Sequence, residues 1–155
     1  MEIPQLIPRE LVRCESDISS KKRALQELAG LLASSQAGLK EDDVFDSLLE
    51  RERLGSTGLG HGVAIPHGRI ASISGATAAV LRLNKAVDYD APDDTPVDIL
   101  IGLIVPEDST TEHLEILSCL AEVLSKEDSR TKIRKALSAD ELTTIIHNWT
   151  CSDAA

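Results

Sequence analysis

The stretch Arg51-Glu52-Arg53-Leu54-Gly55-Ser56-Thr57-Gly58-Leu59-Gly60-His61-Gly62-Val63-Ala64-Ile65-Pro66-His67-Gly68 decides how the chain is read. Five of the nine glycines of the protein, Gly55, Gly58, Gly60, Gly62 and Gly68, fall within it. At that density glycine belongs to tight backbone and close approaches, not to a helix interior. The apolar run Val63-Ala64-Ile65 reads as a short buried strand that stops at Pro66, which leaves His67 at the strand end between a proline and a glycine. An imidazole held by such stiff backbone needs little reorganisation before it attacks or binds. Local context alone leaves open whether His67 is such a group or an ordinary turn residue.

Upstream, Ala24, Leu25, Leu28, Leu31 and Leu32 recur at helical spacing and predict an amphipathic helix over 20–34, behind serines able to cap it. A second helix follows Gly38, with Val44, Phe45, Leu48 and Leu49 on one face and Glu41, Asp42 and Asp43 in its first turn. It ends near Leu54-Gly55, so Arg51 stands in its last turn. There it is either one member of the ion-pair run Glu50-Arg51-Glu52-Arg53 or, if the chain folds back to His67, a guanidinium able to grip a phosphate bidentately. Downstream, 76–83 and 99–105 read as strands, and the second has no polar alternation, the mark of a strand covered on both faces in an α/β layer structure. The acidic, turn-rich connector 88–96 reads as a solvated loop. Helices are expected at 109–126, 129–137 and 140–148, the last started by Ser138-Ala139-Asp140-Glu141, and the tail from Cys151 should fray. His113 falls in the first turn of the helix after a strand, where open α/β sheets place ligand contacts; a boundary histidine is the plainer alternative.

The chain has 155 residues, with 16 Lys+Arg against 26 Asp+Glu, a formal charge of −10, and 42% hydrophobic residues. One domain spanning 1–155, with its core at 3–149, fits that length, which buries roughly 68–70% of the surface the unfolded chain exposes. Collagen-like, disordered and disulfide-scaffold classes are excluded. The acidic balance, with Lys21-Lys22-Arg23 as the one basic cluster and only Phe45, Tyr89 and Trp149 able to stack on bases, argues against a nucleic-acid partner. No apolar stretch reaches the ~20 residues needed to cross a bilayer, and no secretory signal is visible, so a cytoplasmic protein without a membrane span is expected. Cys14, Cys119 and Cys151 are odd in number and widely separated, and are expected to be reduced, packed thiols. No convincing metal-ligand spacing is present and no cofactor is called for. A zinc site from His61, His67 and His113 is weakly supported, and a zinc hydrolase would also need a nearby acid, the nearest upstream of His67 being Glu52.

The stretch 51–68 resembles the signature of the mannitol/fructose-type IIA proteins of the bacterial phosphotransferase system, and within that family it is most similar to the nitrogen-branch members. The resemblance extends through Lys21-Lys22-Arg23-Ala24-Leu25, Pro96-Val97-Asp98-Ile99-Leu100, Val105-Pro106 and His113-Leu114. It implies an α/β fold with a mixed central β-sheet flanked by helices. It implies that His67 is the phosphorylated nucleophile of a phosphotransferase component with a phosphohistidine intermediate, supplied by an HPr-like phosphocarrier protein. It further implies that His113 and Arg51 bind the phosphoryl group and that Ser56 and Thr57 lie in the loop lining the pocket. His61 departs from the family pattern, which commonly has a small polar residue there; it reads as a solvent-facing loop side chain. With no permease or IIB segment read in the chain, a regulatory phosphocarrier acting on target proteins such as a transporter or sensor kinase is expected. The alternatives are a sugar-specific IIA component feeding a IIB domain and a binding module independent of phosphorylation.

Overall fold

The computed structural model describes residues 2–15, 17–109 and 111–151. In chain order they form helix α1 (Ile3–Leu6), a 3-10 turn (Arg9–Leu11), β1 (Val12–Glu15), α2 (Lys21–Ala33), α3 (Glu41–Arg53), β2 (Gly58–Gly60), β3 (Val63–Ala64), β4 (His67–Ile70), β5 (Thr77–Val87), β6 (Val97–Pro106), α4 (Thr111–Leu124), α5 (Glu127–Lys135) and α6 (Ala139–His147).

The strands make one mixed sheet in the order β1-β5-β6-β3-β2. β1 pairs parallel with β5, β5 antiparallel with β6, and β2 antiparallel with β3. The free edge of β6 is shared by two short parallel strands laid end to end: Val63 and Ala64 opposite Ile99 and Leu100, then His67 to Ile70 opposite Leu103 to Pro106. Pro66 separates them because it has no N–H to give the ladder, yet its carbonyl accepts the Leu103 N–H at 2.9 Å and keeps the edge paired.

Side chains alternate across the sheet. Ala79, Leu81, Leu83, Leu100 and Ile104 meet Leu28, Leu32, Val44 and Leu48 of α2 and α3. Ala78, Val80, Ile99, Ile101, Leu103 and Val105 meet the other layer, built from α1, α4, α5 and α6 through residues such as Ile3, Ile116, Leu120, Ile133, Leu142 and Ile146. The strand read as apolar on both faces is therefore covered on both, and each fully buried leucine or isoleucine contributes about 1.5–3 kcal/mol. Ser20 caps α2 by accepting the Arg23 N–H and Ser138 caps α6 by accepting the Glu141 N–H. Arg82 reaches from β5 to the carbonyls of Ile133 and Ala136, at 3.0 and 2.7 Å, and satisfies the C-terminal end of α5.

The structure differs from the sequence reading in several features, among them α1, β2 and β4, which the sequence did not reveal. β1 is a strand that the sequence did not reveal, four residues long with apolar and polar residues alternating, too short a pattern to stand out. β5 continues past Leu83 to Val87 through exposed Asn84, Lys85 and Ala86, because beyond that polar stretch the buried Val87 pairs with the buried Val97 and closes the ladder. The acidic connector is not a solvated loop throughout: Tyr89 and Ala91 are buried at 0% and 5% exposure. The cysteines are not all thiols either. Cys119 on α4 and Cys151 after α6 form a disulfide, their Cα atoms 5.3 Å apart in the ordinary range for such a bridge, and Cys14 alone is free. The fraying expected of the tail beyond Cys151 lies outside the described residues.

β4 runs directly against α3. A Cβ on Gly68 would stand 3.1 Å from the carbonyl carbon of Ser47 and closer still to its hydroxyl, which donates to the Arg69 carbonyl. Gly68→Ala is expected to push β4 off α3 and destabilise the fold by about 1–3 kcal/mol, lowering Tm by roughly 3–10 °C. Thermal unfolding measures it, and an unchanged Tm would contradict this close approach.

Candidate functional site

His67 is the first residue of β4, half-buried, with its ring turned back on the strand end. Its Nδ1 lies 2.8 Å from the Ile65 carbonyl oxygen. A carbonyl only accepts, so Nδ1 carries the proton and donates it, and the lone pair is left on Nε2. Pro66 and the β3–β4 break thus fix the ring's orientation and its tautomer together.

His113, the third residue of α4, faces it edge-on, with ring centroids 5.2 Å apart and planes at 76°. It is buried, and neither of its ring nitrogens has a hydrogen-bond partner among the described residues. Burial holds the His113 imidazole below its ordinary value of 6.5, and the charges of His67, Arg69 and Arg51 press in the same direction. Burial likewise lowers His67, helped by Arg51, against the raising influence of the Ile65 carbonyl and the Glu52 carboxylate. Both shifts favour the neutral ring. Arg51, in the last turn of α3, donates from Nη1 to the Gly55 carbonyl at 2.9 Å, so the guanidinium also closes the start of the glycine-rich turn.

The turn itself is held from within. The Ser56 hydroxyl accepts the Gly58 N–H at 3.1 Å, a local turn that leaves its own O–H to donate. Thr57 is buried and faces inward: its N–H donates to Glu52 Oε1 at 3.0 Å and its hydroxyl donates to Glu52 Oε2. Of the two residues expected to line a phosphoryl pocket, Thr57 is thus engaged inside the protein, where it anchors the turn, while the Ser56 O–H is left to donate. At the far end of the β2–β3 hairpin His61 is exposed, with a left-handed φ of 59°, its N–H on Asp93 and its carbonyl accepting from Arg134. It takes no part in the histidine pair.

The structure therefore brings His67, His113 and Arg51 together and puts Ser56 and Thr57 in the adjoining turn, from three separate places in the chain. Sequence reading missed Arg69, Glu52, Lys21 and Tyr89 as parts of this environment. Arg69 had a signal, since it follows His67 at strand spacing and its exposed side lies on the same face. Tyr89 had none, being one apolar position inside an acidic loop.

Fold and site together define a IIA component. The chain belongs to the family described as phosphoenolpyruvate-dependent sugar phosphotransferase system, EIIA 2, whose model matches residues 5–149. It is 44% identical over 127 residues to the nitrogen regulatory protein of Pseudomonas aeruginosa, covering 82% of each chain, and 39% identical over 147 residues to that of Escherichia coli, covering 94% of this chain and 90% of the other. The crystal structure of nitrogen regulatory protein IIA-Ntr from Neisseria meningitidis superposes with a TM-score of 0.87 at 43% identity, over 93% of this chain and 98% of that one. The resemblance to the nitrogen branch holds at the level of sequence and of fold. No helix among the described residues is long and apolar enough to cross a membrane.

Because both imidazoles are held below 6.5, their NMR titration midpoints should fall below that value. The folded protein then binds fewer protons than the unfolded chain between the lowered values and 6.5, so stability should fall as pH drops through that window. Histidine side-chain NMR and denaturant unfolding between pH 5 and 7, a range set by the reference value, measure both; midpoints at or above 6.5 would contradict the burial argument.

Proposed function

We propose that the protein is a phosphocarrier: His67 accepts a phosphoryl group from the phosphohistidine of an HPr-like carrier, and the free and phosphorylated forms act differently on target proteins. The observation that carries this reading is the tautomer lock, which leaves Nε2 of a neutral, half-buried imidazole as a nucleophile facing a second, unpartnered imidazole. In the transfer the Nε2 lone pair forms the new N–P bond while the donor's P–N bond breaks and its electron pair returns to the donor imidazole. As positive charge grows on the His67 ring, the Nδ1–H bond to the Ile65 carbonyl strengthens. The transferring group asks mainly for in-line placement and neutralisation of its equatorial oxygens, which Arg51, an N–H of His113 and the Ser56 hydroxyl supply.

Exposed Leu54 and Leu114 adjoin Arg51 and His113 and give the donor an apolar rim to dock on; their exposures are 82% and 67%. The regulatory branch is favoured over sugar transport by the likeness to proteins named nitrogen regulatory protein. A phosphoryl group adds about −1.5 to −2 charges to a chain already at −10, enough to change what a target meets at this face.

Incubation with phosphoenolpyruvate, enzyme I and an HPr-like carrier should add one acid-labile phosphoryl group to wild type and none to His67→Ala. His113→Ala should slow acceptance about 10²–10³-fold while label remains detectable. Intact mass and acid lability read the outcome. Full labelling of His67→Ala would overturn the nucleophile assignment, and no labelling of wild type by an active carrier would favour a phosphorylation-independent binding module. Leu114→Glu should raise the donor KM with little change in the maximal rate; the reverse split would move the docking face elsewhere.

A further inference from the structure

We propose that the buried Glu52 carboxylate is the positioning residue for His67, acting on the imidazole through Thr57 and Ile65. The inference rests on the phosphocarrier reading for its kinetic consequence, not for its geometry.

Glu52 follows Arg51 in the last turn of α3 but points inward, with its side chain 3% exposed. Oε1 accepts the Thr57 N–H and the Lys21 ammonium, each at 3.0 Å, and Oε2 accepts the Thr57 hydroxyl and, at 3.4 Å, the Tyr89 hydroxyl. The Lys21 ammonium also lies 4.4 Å from the centre of the Tyr89 ring. From Thr57 the connection continues by backbone: its carbonyl accepts the Ile65 N–H at 3.1 Å, and the Ile65 carbonyl accepts His67 Nδ1–H at 2.8 Å. A helix end, a glycine-rich turn, a strand end and the imidazole are joined in series.

Two features speak against a merely structural role. Lys21 is the first residue of α2 and Glu52 stands in the last turn of α3, so both charges oppose the dipole of the helix that carries them. An ion pair with one buried member is also weak evidence for stability, since desolvation of the Glu52 carboxylate offsets its attraction to the partly exposed Lys21. Local rules broken twice in one contact point to function, and here the contact governs where Nε2 lies. Transfer between two imidazoles is sensitive to that placement, a misplacement of about 1 Å costing about 10²-fold in rate.

The test uses the full chain and the phosphorylated HPr-like carrier, with rates measured against donor concentration for wild type, Glu52→Ala, Glu52→Gln, Thr57→Val and Thr57→Ser. Glu52→Ala and Thr57→Val should lower the maximal rate by roughly 10–100-fold with donor KM within about twofold. Glu52→Gln still accepts the Thr57 N–H and donates to the Thr57 and Tyr89 hydroxyls, and should come back to within about threefold of wild type. Thr57→Ser should restore most of what Thr57→Val loses. Nitrogen NMR of the His67 ring supplies a readout that needs no donor: the Nδ1–H tautomer should dominate in wild type and Glu52→Gln and give way to a mixture in Glu52→Ala and Thr57→Val. If Glu52→Ala does not fold, the isosteric Thr57→Val carries the same comparison. A retained tautomer with full rate in Thr57→Val, or a loss confined to KM, would overturn the proposal. If wild type accepts no phosphoryl group, the phosphocarrier reading fails by itself, and the tautomer measurement still decides whether Glu52 positions His67.

Discussion

A strand buried on both faces must have every backbone group paired, and β6 meets this demand on one side with two strands where one would ordinarily serve. β5 covers one edge along most of its length. On the other edge the chain runs as β3, breaks at Pro66 and resumes as β4, with the proline carbonyl bridging the gap to Leu103. The Pro66 carbonyl faces β6, so the Ile65 carbonyl one residue earlier faces the opposite edge, where the Ile65 N–H donates to the Thr57 carbonyl while the Thr57 N–H turns away to Glu52. That carbonyl is left to take the His67 ring proton. The site is thus a consequence of how one edge of the central strand is paired, and the apolar layers on either side keep that edge from adjusting.

The price of such a site is polar groups left without partners. Buried polar atoms are nearly always hydrogen-bonded, and an unsatisfied one costs about 1–3 kcal/mol. Among the described residues both ring nitrogens of His113 have no partner, and burial shifts the adjacent His67 ring toward its neutral form. A phosphoryl oxygen placed between the rings would give the His113 N–H its acceptor.

How much of this could be read beforehand follows from the range of the interactions concerned. The helices α2 and α3 and the strand β6 rest on local patterns, apolar spacing and a run without polar alternation, and they fall close to where the sequence puts them. His67 was marked by its own neighbours, Pro66 and the surrounding glycines. The tautomer of His67 could not be read, because it depends on whether the Ile65 carbonyl is free, and that is decided by the Gly-rich turn beside it, whose Thr57 N–H goes to Glu52. Glu52 looked like one more charge in a surface run at a helix end. Its inward turn depends on Lys21 and Tyr89, which stand 31 residues before it and 37 residues after it in the chain. The Cys119 to Cys151 bridge was invisible for the same reason: spacing alone brings nothing to say that α4 and the segment after α6 lie side by side.

Charge distribution carries the functional argument one step further. The chain carries 26 acids against 16 bases, and several of its cations are paired with carboxylates. Lys21 pairs with Glu52, Arg134 with Asp98 and Arg9 with Asp140. Among the described residues Arg51 and Arg69, whose charges both act on His113, form no such pair. Two unneutralised guanidinium groups beside two neutral imidazoles make a local positive field on an acidic protein. A dianionic group entering it meets attraction at short range, where the site is partly shielded from salt, and repulsion from most of the remaining surface. On the proposed phosphocarrier reading, that contrast would favour a group delivered by a docked carrier over free anions arriving from any direction, and a phosphoryl group held there would offset the local positive field, a change a target protein could distinguish without any rearrangement of the fold.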